Sequence, residues 1–306
     1  MAGANDKPKI ANFICTHSTR RGFFIKFSKN YYFLLLQSPY MPETPPLNRA
    51  FPTLENLSAI AQEAGQLILS IKSRYAMASI TQHKSDHSPV TLADQQAQEI
   101  ITHHLTKTLQ TPFPILAEEA ALPDFEERRH WDTFWLIDPL DGTREFIKGG
   151  ADFTVNIALI YQKRPLLGVI YAPMHQTLYA GEVGKEAFKI EPDGTKSAIF
   201  TNQKERHQPL IALGSRLYSS GNEAEALADF HIQTHQARSS SLKFGLIAEG
   251  KADLYFRAGR TMEWDTAAGD AILRAAGGRV FTSEGNDLTY NKPHLDNTAF
   301  WAWGLK

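Results

Sequence analysis

The sequence predicts an α/β (α+β) fold, and three patterns along its 306 residues support that prediction. Apolar residues recur at helical spacing between positions 57 and 105. Short apolar runs separated by turn residues follow from 113 to 181, as expected for strands. Strand-like and helix-like segments alternate beyond 210. The polar segment 201–208 predicts a seam between a domain over 51–204 and a second over 205–306.

Two helices are predicted early in the chain. The first follows Pro52 and has an apolar face formed by Leu57, Ile60, Ala61, Ala64, Leu67, Ile68 and Ile71. A polar loop is expected from Ile80 to Pro89. Thr91 then has the character of an N-cap, with Asp94 in the first turn that follows. The second helix continues through Ala97, Ile100, Ile101, His104 and Leu105.

The remaining elements come from short apolar runs and turn signals. Five strands are predicted at Phe113–Ala117, Phe134–Ile137, Phe153–Ile160, Leu166–Tyr171 and Thr177–Gly181. Hairpin turns are expected at 162–165 and 191–194. Beyond the seam, strands are predicted at Leu210–Leu213 and Leu254–Phe256, and helices at Glu223–Phe230, Ser241–Glu249 and Thr266–Ala276.

Composition limits the classes of function. The chain has 32 basic and 33 acidic residues, so no global charge favours nucleic acid as a partner. The single cysteine, Cys15, excludes an internal disulfide framework and fits a reducing cytoplasm. Residues 1–50 differ from the rest because they are basic, with no acidic residue between Asp6 and Glu43. They predict a poorly ordered extension. Whether the chain starts at Met1 or at Met41 stays open, as does a targeting or membrane-surface role.

The run Asp138-Pro139-Leu140-Asp141-Gly142-Thr143 ends an apolar strand in two carboxylates and a glycine turn. Pro139 favours an extended Asp138, so both carboxylates can approach one point. Mg2+ prefers oxygen ligands and keeps room for phosphate oxygens. Gly142 allows close approach of the backbone, and free N–H groups would face a phosphate if Thr143 opens a helix. The alternative is that the two acids merely cap a turn.

Other acidic residues stand at predicted element boundaries. Glu118 and Glu119 follow a strand, Asp94 begins one helix and Asp265 precedes another. Each has a structural alternative: Asp265 as an N-cap, Asp94 as a partner of the helix dipole, and the two glutamates as a solvated strand end. A functional interpretation requires that they converge in the fold.

The order of these motifs resembles the Mg2+-dependent, Li+-sensitive phosphatases related to inositol monophosphatase. The motifs are Ala117-Glu118-Glu119, Asp138-Pro139-Leu140-Asp141-Gly142-Thr143 and Trp264-Asp265. Further segments are similar to the CysQ-type 3'(2'),5'-bisphosphate nucleotidases of bacteria: Ser88-Pro89-Val90-Thr91-Leu92-Ala93-Asp94, Arg144-Glu145-Phe146-Ile147-Lys148, Phe153-Thr154-Val155-Asn156-Ile157-Ala158-Leu159, Ser240-Ser241-Leu242-Lys243-Phe244 and Trp264-Asp265-Thr266-Ala267-Ala268-Gly269. The resemblance covers residues 54 to 300.

This resemblance implies a layered αβαβα sandwich of the inositol monophosphatase and fructose-1,6-bisphosphatase type. It implies two or more Mg2+ ions, one held by Glu118, Asp138 and the Leu140 carbonyl. The second would be held by Asp138, Asp141 and Asp265. By the same resemblance Thr143, linked to Asp94, would orient the attacking water, and the N–H groups of Gly142 and Thr143 would contact the phosphate.

The substrate implied by the resemblance is a small nucleotide, adenosine 3',5'-bisphosphate, cleaved to AMP and phosphate in sulfate assimilation, with its sulfated analogue as a second substrate. Ser240, Lys243 and Arg257 would hold the phosphate that is not cleaved. Without the resemblance, Lys243 is a surface lysine and Arg257 an edge-strand charge. Ser239 departs from the glycine that relatives commonly carry. Relatives are cytoplasmic, and some contact the inner membrane peripherally.

Two other functions stay open at this point. One is an inositol monophosphatase or another sugar phosphatase, which has a substrate with one phosphate and no need for Lys243 and Arg257. The other is a catalytically silent nucleotide-binding or regulatory protein. The intact set of acids disfavours the silent protein, because mutually repelling carboxylates serve no purpose without a cation.

Overall fold

The computed structural model describes residues 51–84, 88–215 and 221–306, together with the backbone of 23–27 and 30–34. Strands β1 (Phe23–Phe27) and β2 (Asn30–Leu34) pair as an antiparallel hairpin in a compact unit of their own. The described residues from 51 onward belong to a second compact unit. The predictions for the rest of the 1–50 extension, including the start at Met41, lie outside the described residues.

Helices and strands alternate along much of the second unit. The helices are α1 (Leu54–Arg74), α2 (Met77–Ile80), α3 (Leu92–His103) with a π-helical turn at His104–Thr108, α4 (Phe125–Arg128), α5 (Thr143–Ile147), α6 (Gly221–Leu227), α7 (Leu242–Ala248) and α8 (Glu263–Ala275). A 3-10 turn covers Pro173–His175.

The strands of this unit divide into two larger sheets and two small pairs. They are β3 (Thr81–His83), β4 (Pro89–Thr91), β5 (Ile115–Ala117), β6 (Thr133–Asp141), β7 (Thr154–Tyr161), β8 (Arg164–Ala172), β9 (Thr177–Glu182), β10 (Glu186–Ile190), β11 (Lys196–Ala198), β12 (Leu210–Ser215), β13 (Ile232–Arg238), β14 (Leu254–Arg257), β15 (Thr261–Met262), β16 (Arg279–Thr282), β17 (Asp296–Asn297) and β18 (Phe300–Trp303).

A seven-stranded sheet in the order β11-β10-β9-β8-β7-β6-β5 forms one half of the unit. Its neighbours are antiparallel except for the parallel pair β5 and β6. Both faces of β6 are buried: Trp135 and Ile137 belong to a core with α1 and α3, and Phe134 and Leu136 to a core with α7 and α8. This two-sided burial explains why the strand is continuously apolar rather than alternating.

A five-stranded sheet in the order β13-β12-β14-β18-β16 forms the other half. Helices α7 and α8 lie between the two sheets, while α1 and α3 cover the far face of the seven-stranded sheet. Helix α6 contacts β14, and Phe230 beyond it packs on Trp301. The architecture is the predicted αβαβα sandwich. Among the described residues, no helix has both the length and the apolar character needed to cross a bilayer.

Local chemistry accounts for the starts of the two amphipathic helices. Thr53 caps α1, and its side-chain oxygen accepts a hydrogen bond from the N–H of Asn56. Thr91 caps α3, as predicted, and Asp94 in its first turn accepts the N–H of Thr91 at 2.8 Å. These reciprocal bonds satisfy N–H groups that a helix end leaves without partners.

Several predicted boundaries were wrong. The expected loop 80–89 contains the short strands β3 and β4, which pair across the segment. Helix α8 begins at Glu263, three residues before the predicted start, so Asp265 is not its N-cap but lies in its first turn. Strand β6 continues to Asp141, with a register shift between Asp138 and Asp141. Pro139 lacks the N–H that a regular ladder needs, which explains an irregularity at this place.

The predicted seam at 201–208 separates the sheets in sequence. The seven-stranded sheet ends with β11 at Ala198, and the five-stranded sheet begins with β12 at Leu210. The described residues on both sides nevertheless belong to the same compact unit. The division into two independently folding domains therefore stays a prediction.

Glycines allow α8 to lie directly on the seven-stranded sheet. A Cβ at Gly168 in β8 would collide with the carbonyl oxygen of Ala268, and one at Gly181 in β9 would lie 2.8 Å from the Cα of Ile272. Backbone this close to backbone tolerates no side chain. Since α8 carries Asp265 near its start, the depth of this packing also sets where that carboxylate lies.

Gly168→Ala should therefore lower the free energy of unfolding by about 2–3 kcal/mol, because the added methyl group would meet the backbone of Ala268 and the Cβ of Ala271, neither of which can rotate away. Gly194→Ala is the control: it has open space around it and a φ of +84°, so its cost is about 1 kcal/mol of backbone strain. Urea unfolding measures both. A larger loss for Gly194→Ala than for Gly168→Ala would contradict the packing argument.

Candidate active site

Three carboxylates from three elements meet at one point. Glu118 directly follows β5, Asp138 lies in the adjacent β6, and Asp265 lies in the first turn of α8. One oxygen of each lies within 4.8 Å of an oxygen of the other two. The parallel pairing of β5 with β6, extended by a hydrogen bond from the Glu118 N–H to the Ile137 carbonyl, brings the first two side by side.

The electrostatics of this cluster are unfavourable for the ionised side chains alone. Burial, reinforced by the charge of Glu118, raises the pKa of Asp138 well above its usual range. Burial and the charge of Asp141 do the same to the pKa of Asp265. Carboxylates this close, with Asp138 buried among them, ionise together only at a cost that added positive charge relieves. The donor set, composed of oxygens only, fits a hard divalent cation such as Mg2+.

Asp141 lines the same cavity but is oriented differently. Its Oδ2 accepts a hydrogen bond of 2.6 Å from the N–H of Ser241 in front of α7. Burial raises its pKa to about 6, against the opposing charge of Lys243. Asp141 is not one of the three carboxylates that lie within 4.8 Å of one another. The residue thus joins β6 to the segment that begins α7, and its predicted role as a metal ligand stays a prediction.

Thr143 and Asp94 are adjacent, although 49 positions separate them. The Thr143 hydroxyl donates to Asp94 Oδ1 at 3.0 Å, and Asp94 Oδ2 accepts from the Thr91 hydroxyl at 2.5 Å. Burial raises the pKa of Asp94 to about 6. Thr143 is the first residue of α5, and Gly142 before it has a φ of +92°, which glycine adopts readily. The carbonyl of Leu140 faces the same hydroxyl at 3.2 Å.

Lys84 is a site residue that sequence reasoning missed. Its ammonium group lies 2.9 Å from Glu118 Oε1 and 2.7 Å from Glu119 Oε1. Although burial opposes it, the charge of Glu118 raises the pKa of Lys84 above its usual range. Burial raises the pKa of Glu119 to about 7. No sequence signal separates Lys84 from other lysines, because its position depends on the unpredicted β3–β4 hairpin.

A cavity of about 750 Å³ is lined by Glu118, Asp141 and Asp265 and also by residues of the predicted second-phosphate site. Ser240, Lys243 and Arg257 all line it. Lys243 and Arg257 are buried, so the alternative of a surface lysine is wrong. Arg257 lies in β14, the central strand of its sheet, so the edge-strand alternative is also wrong.

The two cationic side chains have defined neighbours. The Lys243 ammonium donates to the Ser240 carbonyl at 2.6 Å, and burial lowers its pKa to about 8. A guanidinium nitrogen of Arg257 lies 3.9 Å from the Oε1 of Glu223. Ser240 has a φ of +55°.

Ser239 also has polar partners. It donates from its hydroxyl to Glu145 at 3.3 Å and from its N–H to Asp152 at 3.4 Å. Both of these carboxylates are buried. They therefore accommodate the serine at this position.

The layered fold and its acidic cluster define a phosphatase of the inositol monophosphatase type. The chain belongs to the inositol monophosphatase family, whose model matches residues 52–303. Members of this family are metal-dependent phosphatases, typically with Mg2+.

Within this family, the chain is similar to proteins of one named activity. The chain is 44% identical over 241 residues to the 3'(2'),5'-bisphosphate nucleotidase CysQ of Salmonella typhimurium, covering 78% of this chain and 93% of that protein. It is 42% identical over 239 residues to the CysQ of Escherichia coli K12, with the same coverage.

Solved structures agree with this fold. A crystal structure of CysQ from Bacteroides thetaiotaomicron has 37% identity and a TM-score of 0.69, and the match covers 82% of this chain and 97% of that one. An IMPase from Thermotoga maritima, 22% identical, has a TM-score of 0.66 over 82% of this chain and 91% of that one and shares the fold.

Metal-free protein should become more stable at pH 8 when Asp138 is replaced by asparagine. The folded-state pKa of Asp138 lies above its ordinary value of 3.8, so the stability it contributes is present at low pH and is lost as the pH rises. The amide introduced by Asp138→Asn keeps an oxygen that can accept the Leu140 N–H and removes the charge. The expected result is a Tm a few degrees higher, measured by thermal melts in a chelator.

Asp287→Asn is the control of opposite sign. Although burial opposes it, the charges of Arg274 and Arg279 hold the pKa of Asp287 below its ordinary value. Its ionised form therefore stabilises the fold above that value, and the amide should lower the Tm at pH 8. A lower Tm for Asp138→Asn would show that repulsion among the carboxylates does not destabilise the metal-free protein.

Proposed function

We propose that this chain is a Mg2+-dependent 3'(2'),5'-bisphosphate nucleotidase that converts adenosine 3',5'-bisphosphate to AMP and phosphate, and also accepts the sulfated analogue. One observation carries the proposal. A single cavity is lined both by carboxylates, Glu118, Asp141 and Asp265, and by two buried cations, Lys243 and Arg257. A substrate with two phosphates fits such a cavity, and the 37–44% identity to proteins named CysQ supports this choice.

The acidic residues divide into two overlapping ligand sets. Glu118, Asp138 and the Leu140 carbonyl would hold one Mg2+, and Asp138, Asp141 and Asp265 the second. When bound, the ions supply positive charge to the phosphate and acidity to the attacking water. The chain's own N–H groups at Gly142 and Thr143 would complete the binding of the cleaved phosphate.

Thr143 and Asp94 are proposed to accept the proton of the attacking water. Because the Thr143 hydroxyl donates to Asp94, its oxygen can accept a hydrogen bond from a water beside it. As that water attacks the phosphorus, the proton passes through Thr143 to Asp94. A carboxylate whose pKa is raised to about 6 is suited to this task near neutral pH.

The second phosphate would be held by Lys243, Arg257 and Ser240. Both cations are buried and therefore lose little to solvent screening. An inositol monophosphatase would have no second phosphate to place there. The cytoplasmic location, which the single cysteine and the resemblance favour, stays a prediction. A peripheral contact with the inner membrane also stays a prediction, since it depends on the basic segment within 1–50.

Phosphate release from a panel of phosphomonoesters, with and without Li+, tests this function. With Mg2+ the wild type should release phosphate fastest from adenosine 3',5'-bisphosphate, and Li+ should inhibit it. Asp138→Asn should lower kcat to near the detection limit, because Asp138 would be a ligand in both proposed Mg2+ sites. Fastest release from inositol phosphate would favour the sugar phosphatase, and no release from any substrate would favour the silent protein.

Lys243→Ala and Arg257→Ala test the substrate assignment. Each should raise KM for adenosine 3',5'-bisphosphate by about tenfold or more, because each loses a charged hydrogen bond to the uncleaved phosphate. The KM for inositol phosphate should change much less. Lys251→Ala, an exposed lysine just beyond α7, is the control and should behave as wild type. An equal rise for both substrates would argue against a second-phosphate site.

A further inference from the structure

A buried polar network lies next to the acidic cluster and takes no part in the proposed chemistry. Its centre is Glu263, the first residue of α8, which has no exposed surface. Glu263 Oε2 accepts the N–H of Asn291 at 2.6 Å. Its Oε1 accepts both the N–H and the ammonium group of Lys292, at 2.9 and 2.7 Å. Glu263 thereby binds the start of α8 to the segment 289–297.

Asn297 also forms hydrogen bonds with the first turn of α8. Its amide nitrogen lies 2.8 Å from the Met262 carbonyl and 3.1 Å from the Thr266 hydroxyl, on either side of Asp265 in sequence. Strand β17, which contains Asn297, pairs with β15 directly before α8. Asp265 itself accepts the Met262 N–H at 2.8 Å. The backbone that carries this carboxylate is therefore held on both sides.

Arg128 connects this arrangement to the other two carboxylates. It belongs to α4, in the connection between β5 and β6, the strands that position Glu118 and Asp138. Its guanidinium donates to Asn291 Oδ1 at 2.8 Å and to the carbonyl of Lys292 at 2.6 Å. Asn291 donates back to the Arg128 carbonyl at 2.5 Å. A continuous chain of hydrogen bonds thus joins the β5–β6 connection to the start of α8.

We propose that Glu263, held by Asn291, Lys292 and Arg128, is a positioning residue that fixes Asp265 against Glu118 and Asp138 and so sets the affinity of the site for a divalent cation. The inference rests on the proposed metal site. Repulsion between the carboxylates favours movement of Asp265 away from the other two, and the first turn of a helix is where such movement costs least. Glu263 opposes that movement through its three hydrogen bonds.

A second buried network on α8 offers a matched comparison. Asp270 also has no exposed surface, accepts from Arg274 at 2.6 Å and from Tyr290 at 2.9 Å, and binds the same connecting segment. It lies five residues beyond Asp265, outside the first turn. Loss of Asp270 should therefore reduce stability without moving the acidic cluster, whereas loss of Glu263 should do both.

Titration of the metal-free full-length protein with Mn2+ by calorimetry tests the inference, with Tm measured in parallel. The amide introduced by Glu263→Gln would direct its NH2 at the N–H of Asn291 or Lys292 and leave the Lys292 ammonium without its counter-charge. Glu263→Gln should therefore raise the Kd for Mn2+ on the order of 10- to 100-fold, as for other residues that orient metal ligands. Asp270→Asn should lower the Tm while its Kd stays within about twofold of wild type.

Arg128→Lys is the second variant, because it keeps the charge and loses the planar set of donors. Arg128→Lys should also weaken Mn2+ binding. If Glu263→Gln does not fold, the Kd of Arg128→Lys alone tests whether this network sets the affinity for Mn2+. An unchanged Kd in Arg128→Lys and Glu263→Gln, or an equal loss in Asp270→Asn, would overturn the inference. Wild type that binds no Mn2+, or Asp138→Asn that binds as wild type, would refute the metal site itself and the positioning role with it.

Discussion

The mutual repulsion of three clustered carboxylates, of which Asp138 is buried, is the constraint on which the rest of this structure depends. Glu118, Asp138 and Asp265 approach one another within 4.8 Å, and burial raises the pKa of the two aspartates. Such an arrangement persists only if the scaffold is rigid enough to oppose it. The sandwich meets this requirement, since each carboxylate is carried by, or directly follows, a strand or helix whose backbone is hydrogen-bonded to its neighbours.

Helix α8 contributes most to this rigidity. It lies between the two sheets, approaches β8 and β9 closely at Gly168 and Gly181, and is held at its first turn by Glu263. Catalytic constellations need support of this kind because small displacements of a ligand or base reduce rates steeply. The same helix thus couples the packing of the core to the position of Asp265.

The sequence predicted much of the fold and the candidate site. Apolar periodicity identified α1 and α3, and continuous apolar runs identified β6 to β9, because both patterns follow directly from which faces are buried. The order of the motifs predicted that Asp94, Thr143 and the acidic residues belong to one site. Strands β10, β11, β13 and β15 to β18 were missed, because most of them are short or have no clear alternation. The start of α8 was misplaced because Asp265 resembles an N-cap.

By itself the sequence determined the residue types: oxygen ligands only, a glycine before Thr143, and basic residues downstream that could meet a second phosphate. Only the tertiary structure decided which of them meet. It brings Asp94 to Thr143, orients Asp141 toward Ser241, sets Lys84 on Glu118, and buries Lys243 and Arg257 in the shared cavity. The physical reason is that such contacts join residues far apart in the chain, and their distances depend on how the layers pack.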